Sequence, residues 1–535
     1  MKRWYEKSVI YQIYPMSFKD SNHDGMGDIH GIISKLDYFV ELGVDVLWLS
    51  PIYVSPMDDN GYDIADYYQI NPMFGTMGDF KLLLKTAHQK NLKIIMDLVV
   101  NHTSDEHIWF MDAINQPDSP YRDYYIFREN ANNTPPTNQG SFFGGSAWDL
   151  TPDQKHFYFH LFSKKQPDLN WKNEHLRQEI YTMINYWLDL GVDGFRMDVI
   201  DLIGKDIEKG IIGNGPKLHD YLKEMYHACF KGRKVITVGE TGGVTPEIAI
   251  LYTKEDSEEL DMVFQFQHIA LDQEPHRDKW HLKKLDLKDL KRVLSKWQIA
   301  LYQKGWNSLY WSNHDQPRIV SRWGDDGEYR IQSAKMFGAL LHMMQGTPFV
   351  YQGEEIGMTN LKMHDLKDLR DVEAINMYHE KMKVWDESRV WDALNAKGRD
   401  NARTPMQWDD SIYAGFSDQK PWLNVNPNKD FINVKESIND PKSIFSFYQK
   451  LIKMRKECPT IVYGSYELIE EEHEQMFCYK RKYQNQEILV MANVSKEVVK
   501  YPYHLASYQL ILSNEISENE DEFGPYEVRI YHKEG

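Results

Sequence analysis

Short, almost unbroken apolar runs recur along the chain, and most are followed by amphipathic stretches. VDVLWLSP at 44–51 and KIIMDLVV at 93–100 show the pattern most clearly. Runs of this kind mark strands buried on both faces, as in a parallel sheet. The pattern predicts eight strands, at 8–15, 44–51, 93–101, 191–199, 234–241, 261–268, 307–315 and 347–355. Between them, GDFKLLLKTAHQK at 78–90 and LRQEIYTMINYWLDL at 176–190 carry apolar residues at helical spacing. Eight strand–helix units predict a (β/α)8 barrel, with an open doubly wound sheet as the rival architecture.

The spacing between the third and fourth strands is far wider than most other steps. That interval is rich in Tyr, Asn, Pro and Gly, as in NNTPPTNQGSFFGGSAW. It predicts a subdomain inserted at 102–171 on the strand-end face. A second long segment, 357–421, follows the eighth strand and is expected to cover the same face with loops and helices. After about Pro459 the pattern turns to alternation, and 476–482 with 487–494 predict a hairpin in a C-terminal β-sandwich. The expected domains are therefore a barrel at 1–101 and 172–459, the insertion at 102–171, and the sandwich at 460–535.

Composition narrows the function classes. A net charge of −18 over 535 residues argues against nucleic-acid partners. Three cysteines, Cys229, Cys458 and Cys478, share no CxxC spacing, so neither a disulfide framework nor a cysteine metal site is expected. No apolar window is long enough to cross a membrane, and the N-terminus does not read as a signal peptide, so a cytoplasmic protein is expected. Aromatic residues make up 13% of the chain, enough to line a cleft as well as a core.

In a barrel of this kind, chemistry sits at the carboxyl ends of the strands. Four predicted strands end in charged or imidazole groups. DLVVNH carries Asp97, Asn101 and His102; GFRMD carries Arg196 and Asp198; VGE carries Glu240; NHD carries His314 and Asp315. Any single strand-end acid is an ordinary helix cap. Several carboxylates converging on one face are costly unless a site uses them.

These motifs, in this order, resemble the four sequence regions of the α-amylase superfamily, glycoside hydrolase family 13, and the resemblance covers essentially the whole chain. It implies Asp198 as nucleophile, Glu240 as general acid/base and Asp315 as transition-state stabiliser. Asn101, His102, Arg196 and His314 match surrounding sugar-binding positions. A retaining glycosidase needs such a pair: one carboxylate attacks carbon 1 while an acid protonates the leaving oxygen, across roughly 5–5.5 Å. Arg196, two residues before Asp198, is expected to keep the nucleophile ionised, and neighbours are expected to raise the pKa of Glu240. No catalytic cofactor is implied.

Finer motifs resemble the oligo-1,6-glucosidase subfamily: QPDLNW at 166–171, MDDNGYD at 57–63 and GRDNARTPMQW at 398–408. By that match Asp59 and Arg399 hold the hydroxyls of the terminal glucose and Tyr62 stacks on its ring. Phe143, Phe162 and Gln166 wall a pocket that admits only a chain end. Val199, after the nucleophile, is similar to relatives acting on α-1,6 bonds; as a bare residue it is simply a good strand former. Gly242 stands where relatives that prefer long dextran chains place Trp, which implies short isomalto-oligosaccharides. Lys279 is similar to a lysine reaching the second sugar.

The loop Asp20, Asn22, Asp24, Met26, Asp28 alternates oxygen donors and resembles the calcium loop of these glucosidases, with Met26 giving its backbone carbonyl. A polar turn with Asx caps is the plain alternative. The expectation is thus a monomeric exo-α-1,6-glucosidase with a structural calcium and an oligosaccharide substrate. Trehalose-6-phosphate hydrolase, a broader α-glucosidase or a sucrose-isomerising relative are the alternatives within the class. A catalytically dead sugar-binding protein of the same fold is the alternative outside it, and the presence of all three acids speaks against that.

Overall fold

The computed structural model describes residues 3–515, 519 and 521–534. All eight expected strands form, each shorter than its apolar run: β1 Ile10–Ile13, β2 Val46–Leu49, β3 Lys93–Leu98, β4 Gly194–Met197, β5 Ile236–Glu240, β6 Met262–Phe264, β7 Ser308–Leu309 and β8 Thr347–Tyr351. They make one sheet in the order β6-β5-β4-β3-β2-β1-β8-β7. Every pairing is parallel. A parallel bridge between Val263 and Asn307 ties β6 to the approach to β7, bringing the two ends of the sheet together. The sheet is a near-closed barrel, so the doubly wound alternative falls.

The runs outlast the strands because apolar residues also build the turns. Gly191, expected to open the fourth strand, instead ends the preceding helix Glu174–Leu190 at φ 108°, a left-handed cap that glycine adopts without strain. Gly194 then starts β4 hard against β5, where a Cβ would lie 1.9 Å from the Ile236 carbonyl oxygen. The helix Met77–Gln89 begins in a Thr76–Asp79 capping box and buries Phe80, Leu83, Leu84 and Ala87 on the barrel.

Between β3 and β4, strands Phe127–Glu129, Trp148–Leu150 and His156–Phe159 form a separate antiparallel sheet. Its apolar cluster reaches over to Leu202 and Ile207, in the segment after β4. Beyond the barrel, β9 Ser465–Ile469, β10 Met476–Tyr483, β11 Gln486–Asn493, β12 Gln509–Ser513 and β13 Val528–Glu534 form an antiparallel sheet, order β9-β10-β11-β13-β12. Alternation sends Phe477, Tyr479, Ile488 and Val490 onto the barrel helix Arg330–His342. Met476, Cys478, Leu489 and Met491 pack on the other side beneath Val499 and Phe523 of a two-stranded pair.

Candidate active site

The strand ends bring Asp97, Asp198 and Glu240 onto one buried guanidinium. Arg196 Nη1 donates to Asp97 Oδ1 at 2.6 Å and to Asp198 Oδ1 at 2.7 Å, and Nη2 lies 2.6 Å from Glu240 Oε2. All four residues are buried. The arginine was expected to serve the nucleophile; it is shared among three carboxylates. Trp48 Nε1 and Tyr62 Oη each donate to Asp97 Oδ2 at 3.0 Å, which holds Asp97 as a fixed support below the pocket.

One cation cannot fully compensate three buried acids, so their carboxyls hold protons to higher pH than free carboxylates do. Burial is the main cause that raises Glu240 to about 8, with the Asp198 and Asp315 charges adding and Arg196 opposing. Burial likewise lifts Asp198, to about 7, against Arg196. The order is the useful part: Glu240 holds its proton to higher pH than Asp198, which suits an acid beside a nucleophile. Desolvation, ahead of neighbouring charge, is the leading cause of the elevation that the sequence led us to expect.

Val199 is not a strand residue. β4 ends at Met197, and Val199 sits at φ 36°, ψ 43°, in the left-handed region that a β-branched side chain avoids. That backbone turn aims its N–H at Glu240 Oε2, 3.0 Å away, and leaves the half-buried side chain on the pocket wall. Residues held in such conformations persist only where the surroundings over-determine them.

Asp315 is held by Arg399 and Arg403, from the segment after β8, and by its chain neighbour His314. Arg403 Nη2 donates to its Oδ1 at 2.8 Å, Arg399 Nη1 lies 3.5 Å away, and His314 Nε2 is 3.2 Å from Oδ2. Burial opposes ionisation of Asp315, yet His314, Arg399 and Arg403 bring its pKa far below the usual range. Burial drives His314 itself down to about 3, which leaves its ring neutral, so the guanidiniums of Arg399 and Arg403, with a smaller part from Arg196, keep Asp315 ionised. Arg399 also pairs with Asp59 at 2.9 Å and with Asp371, whose carboxylate joins Arg399 to Arg403 and caps the helix Val372–Lys381.

These groups surround a cavity of about 560 Å³. Asp59, Tyr62, His102, Phe143, Phe162, Asp198, Val199, Glu240, Lys279, Asp315 and Arg399 line it. Gln166, Arg196 and His314 stand behind the wall. Gln166 Nε2 donates to Asp59 Oδ2 at 3.1 Å and meets His102 Nε2 at 3.2 Å. His314 stacks on Tyr62, with ring centroids 5.2 Å apart. Asn101 is also outside: with Asp168 it binds the buried ammonium of Lys205, at 2.7 and 3.0 Å, joining the insertion to the segment after β4. Lys279 faces the pocket but is paired with Glu373 at 2.6 Å. Asp371, Glu373, Arg403, Lys205 and Phe142 escaped the sequence reading, because nothing in their local sequence marks their return to the barrel mouth.

The oxygen-rich loop after β1 uses its side chains on itself. Asp20 accepts from the N–H groups of Asn22, His23 and Gly25, Asp24 from Met26, and Asp28 from Ser21 and from Gly31 at the start of the helix Ile29–Ser34. The donors are the hard oxygens a calcium ion takes. Among the described residues, no group of three or more His, Cys, Asp or Glu gathers as a metal site. No helix among them is long and apolar enough to cross a membrane.

Comparison with known proteins identifies the family. A family model for the α-amylase catalytic domain matches residues 12–464. An oligo-1,6-glucosidase of Halalkalibacterium halodurans is 52% identical, over 99% of each chain. A glucan 1,6-α-glucosidase of Streptococcus pneumoniae is 53% identical, over 93% of this chain and 92% of its own. Among solved structures, the trehalose-6-phosphate hydrolase of Bacillus licheniformis superposes with a TM-score of 0.94 at 45% identity, covering all of both chains.

Proposed function

The chain belongs to the α-amylase family, and on that premise we propose that it is a retaining α-glucosidase releasing glucose from the non-reducing ends of α-1,6-linked isomalto-oligosaccharides. The observation that carries this reading is the convergence of Glu240 and Asp198 on the Arg196 guanidinium at the wall of the cavity, where burial raises the Glu240 carboxyl to about 8. Near-full-length similarity to an oligo-1,6-glucosidase and a glucan 1,6-α-glucosidase supports the linkage.

The mechanism follows from the groups present. Asp59 and Arg399 grip the terminal glucose, with Tyr62 beneath its ring. Asp198 attacks carbon 1 as Glu240 gives its proton to the departing oxygen, and the sugar becomes an ester of Asp198. Asp315, kept ionised by Arg399 and Arg403, stabilises positive charge on the ring carbon in both transition states. Glu240, now a carboxylate, takes a proton from water as the water oxygen bonds to carbon 1 and the carbon 1–Asp198 oxygen bond breaks, which releases Asp198 as a carboxylate and restores the α configuration. We assign a structural calcium to Asp20, Asn22, Asp24, the Met26 carbonyl and Asp28, on the chemistry of those donors. The ion would tie the loop and take no part in these steps.

A phosphate on the second sugar would need an uncommitted cation. The cations lining the cavity are Lys279 and Arg399, each engaged by carboxylates, so an uncharged second sugar is favoured. A panel of isomaltose, maltose, sucrose and trehalose 6-phosphate tests the reading. The highest kcat/KM is expected on isomaltose, and a maximum on trehalose 6-phosphate overturns the linkage.

A further inference from the structure

Outside the cavity lining, one buried carboxylate joins the segments that follow β6, β7 and β8. Asp272 lies in the first of these. Arg322, at the end of the helix Ile319–Arg322 after β7, grips it with two prongs: Nε donates to Oδ2 at 2.7 Å and Nη2 to Oδ1 at 2.8 Å. Trp323 Nε1 donates to Oδ2 at 2.9 Å. The buried ammonium of Lys397, the last residue of the helix Glu387–Lys397 after β8, donates to Oδ1. Burial opposes each charge and brings Lys397 down to about 7, yet Arg322 and Lys397 hold the Asp272 carboxyl far below the usual carboxylate range.

Two arms run from this cluster to the site. Arg322 Nη1 donates to Gln316 Oε1 at 2.9 Å, and Gln316 lines the cavity directly after Asp315 in the chain. Lys397 stands two residues before Arg399, which pairs with Asp59 and lies 3.5 Å from Asp315. A buried ion cluster is a weak source of stability, because each charge gives up its water. What it supplies is fixed geometry, and a misplacement of about 1 Å at a catalytic group costs on the order of 100-fold in rate. We propose that Asp272 is a positioning residue: through Arg322 and Gln316 it sets Asp315, and through Lys397 it sets Arg399, without touching the sugar. The inference rests on the proposed roles of Asp315 and Arg399 in the mechanism.

The test reads kcat, KM and melting temperature together, on isomaltose and on α-glucosyl fluoride, whose leaving group needs little protonation. Asp272→Asn should lower kcat/KM on the order of 100-fold, and equally on both substrates, because both use the same glucose-holding groups. Lys397→Met keeps the aliphatic stem and frees the Arg399 arm, so it should raise KM more than it lowers kcat. Arg322→Lys puts one ammonium where a fork spanned Asp272 and Gln316, so it should lower kcat more than it raises KM. These two single-arm variants decide the matter if Asp272→Asn does not fold. A merely structural tie would lower the melting temperature and leave KM and kcat per folded molecule at wild-type values. That result, or equal proportional changes in kcat and KM in both single-arm variants, overturns the proposal. A wild-type enzyme that turns over the fluoride but not isomaltose marks failure of the linkage assignment alone, and the fluoride rates then decide the positioning role.

Discussion

Replacing Val199 by alanine separates its backbone from its side chain. The N–H that meets Glu240 stays, while two methyl groups leave the pocket wall. Two opposing terms set the stability. The side chain packs against the cluster containing Phe159, Leu161 and Leu202, and each fully buried methylene is worth about 0.8 kcal/mol, so a half-buried pair loses about 1 kcal/mol. Left-handed backbone costs a residue of this kind on the order of 1–3 kcal/mol, part of which alanine recovers. The two terms nearly cancel, and the melting temperature should move by less than about 2 °C. Specificity should move much further. An α-1,6 link inserts a methylene and a rotatable bond, so its second sugar tilts away from volume that an α-1,4-linked ring must enter. A methyl-scale change in such a wall is worth roughly 1–3 kcal/mol, so Val199→Ala should raise the maltose-to-isomaltose ratio of kcat/KM about ten-fold or more. The assay is initial-rate glucose release on both disaccharides, with calorimetry on the same preparations. An unchanged ratio in Val199→Ala and Val199→Thr would refute the linkage role, whatever the melting temperature does.

Activity should depend on pH as a narrow bell. The competent form has Asp198 ionised and Glu240 protonated, so kcat/KM falls as pH drops below about 7 and again as it rises above about 8, values that belong to the coupled pair. Glu240→Gln should remove the alkaline limb for an aryl glucoside, whose first step needs little protonation, and nearly abolish cleavage of isomaltose; equal loss on both would contradict the acid role. Asp24→Ala, or chelation by EDTA, should lower the melting temperature more than the activity at moderate temperature, because an ion bound only by the native state stabilises by mass action. A metal-free protein that melts unchanged removes calcium from the loop.

The barrel was legible because buried parallel strands advertise themselves as continuous apolar runs, and the strand-end acids because they interrupt those runs. Strand limits were less legible. Gly191 and Val199 both lie inside an apolar run and both turn left-handed; the glycine is itself the mark of a helix cap that the run obscured, whereas nothing local marks the turn at Val199. The support around the acids was hidden for a similar reason. Asp371 caps a helix; that it also joins Arg399 to Arg403 depends on a segment that returns to the barrel mouth after β8. Lys205 and Glu373 look like solvated charges until the fold buries one between Asn101 and Asp168 and sets the other against Lys279.

The central claim is double displacement through Asp198 at an α-1,6 bond. Proton NMR of isomaltose hydrolysis, recorded before mutarotation, reads both parts at once. Glucose released from the non-reducing unit should appear first as the α-anomer; β-anomer from that unit, in excess of what mutarotation supplies, or no cleavage of isomaltose, would contradict the account.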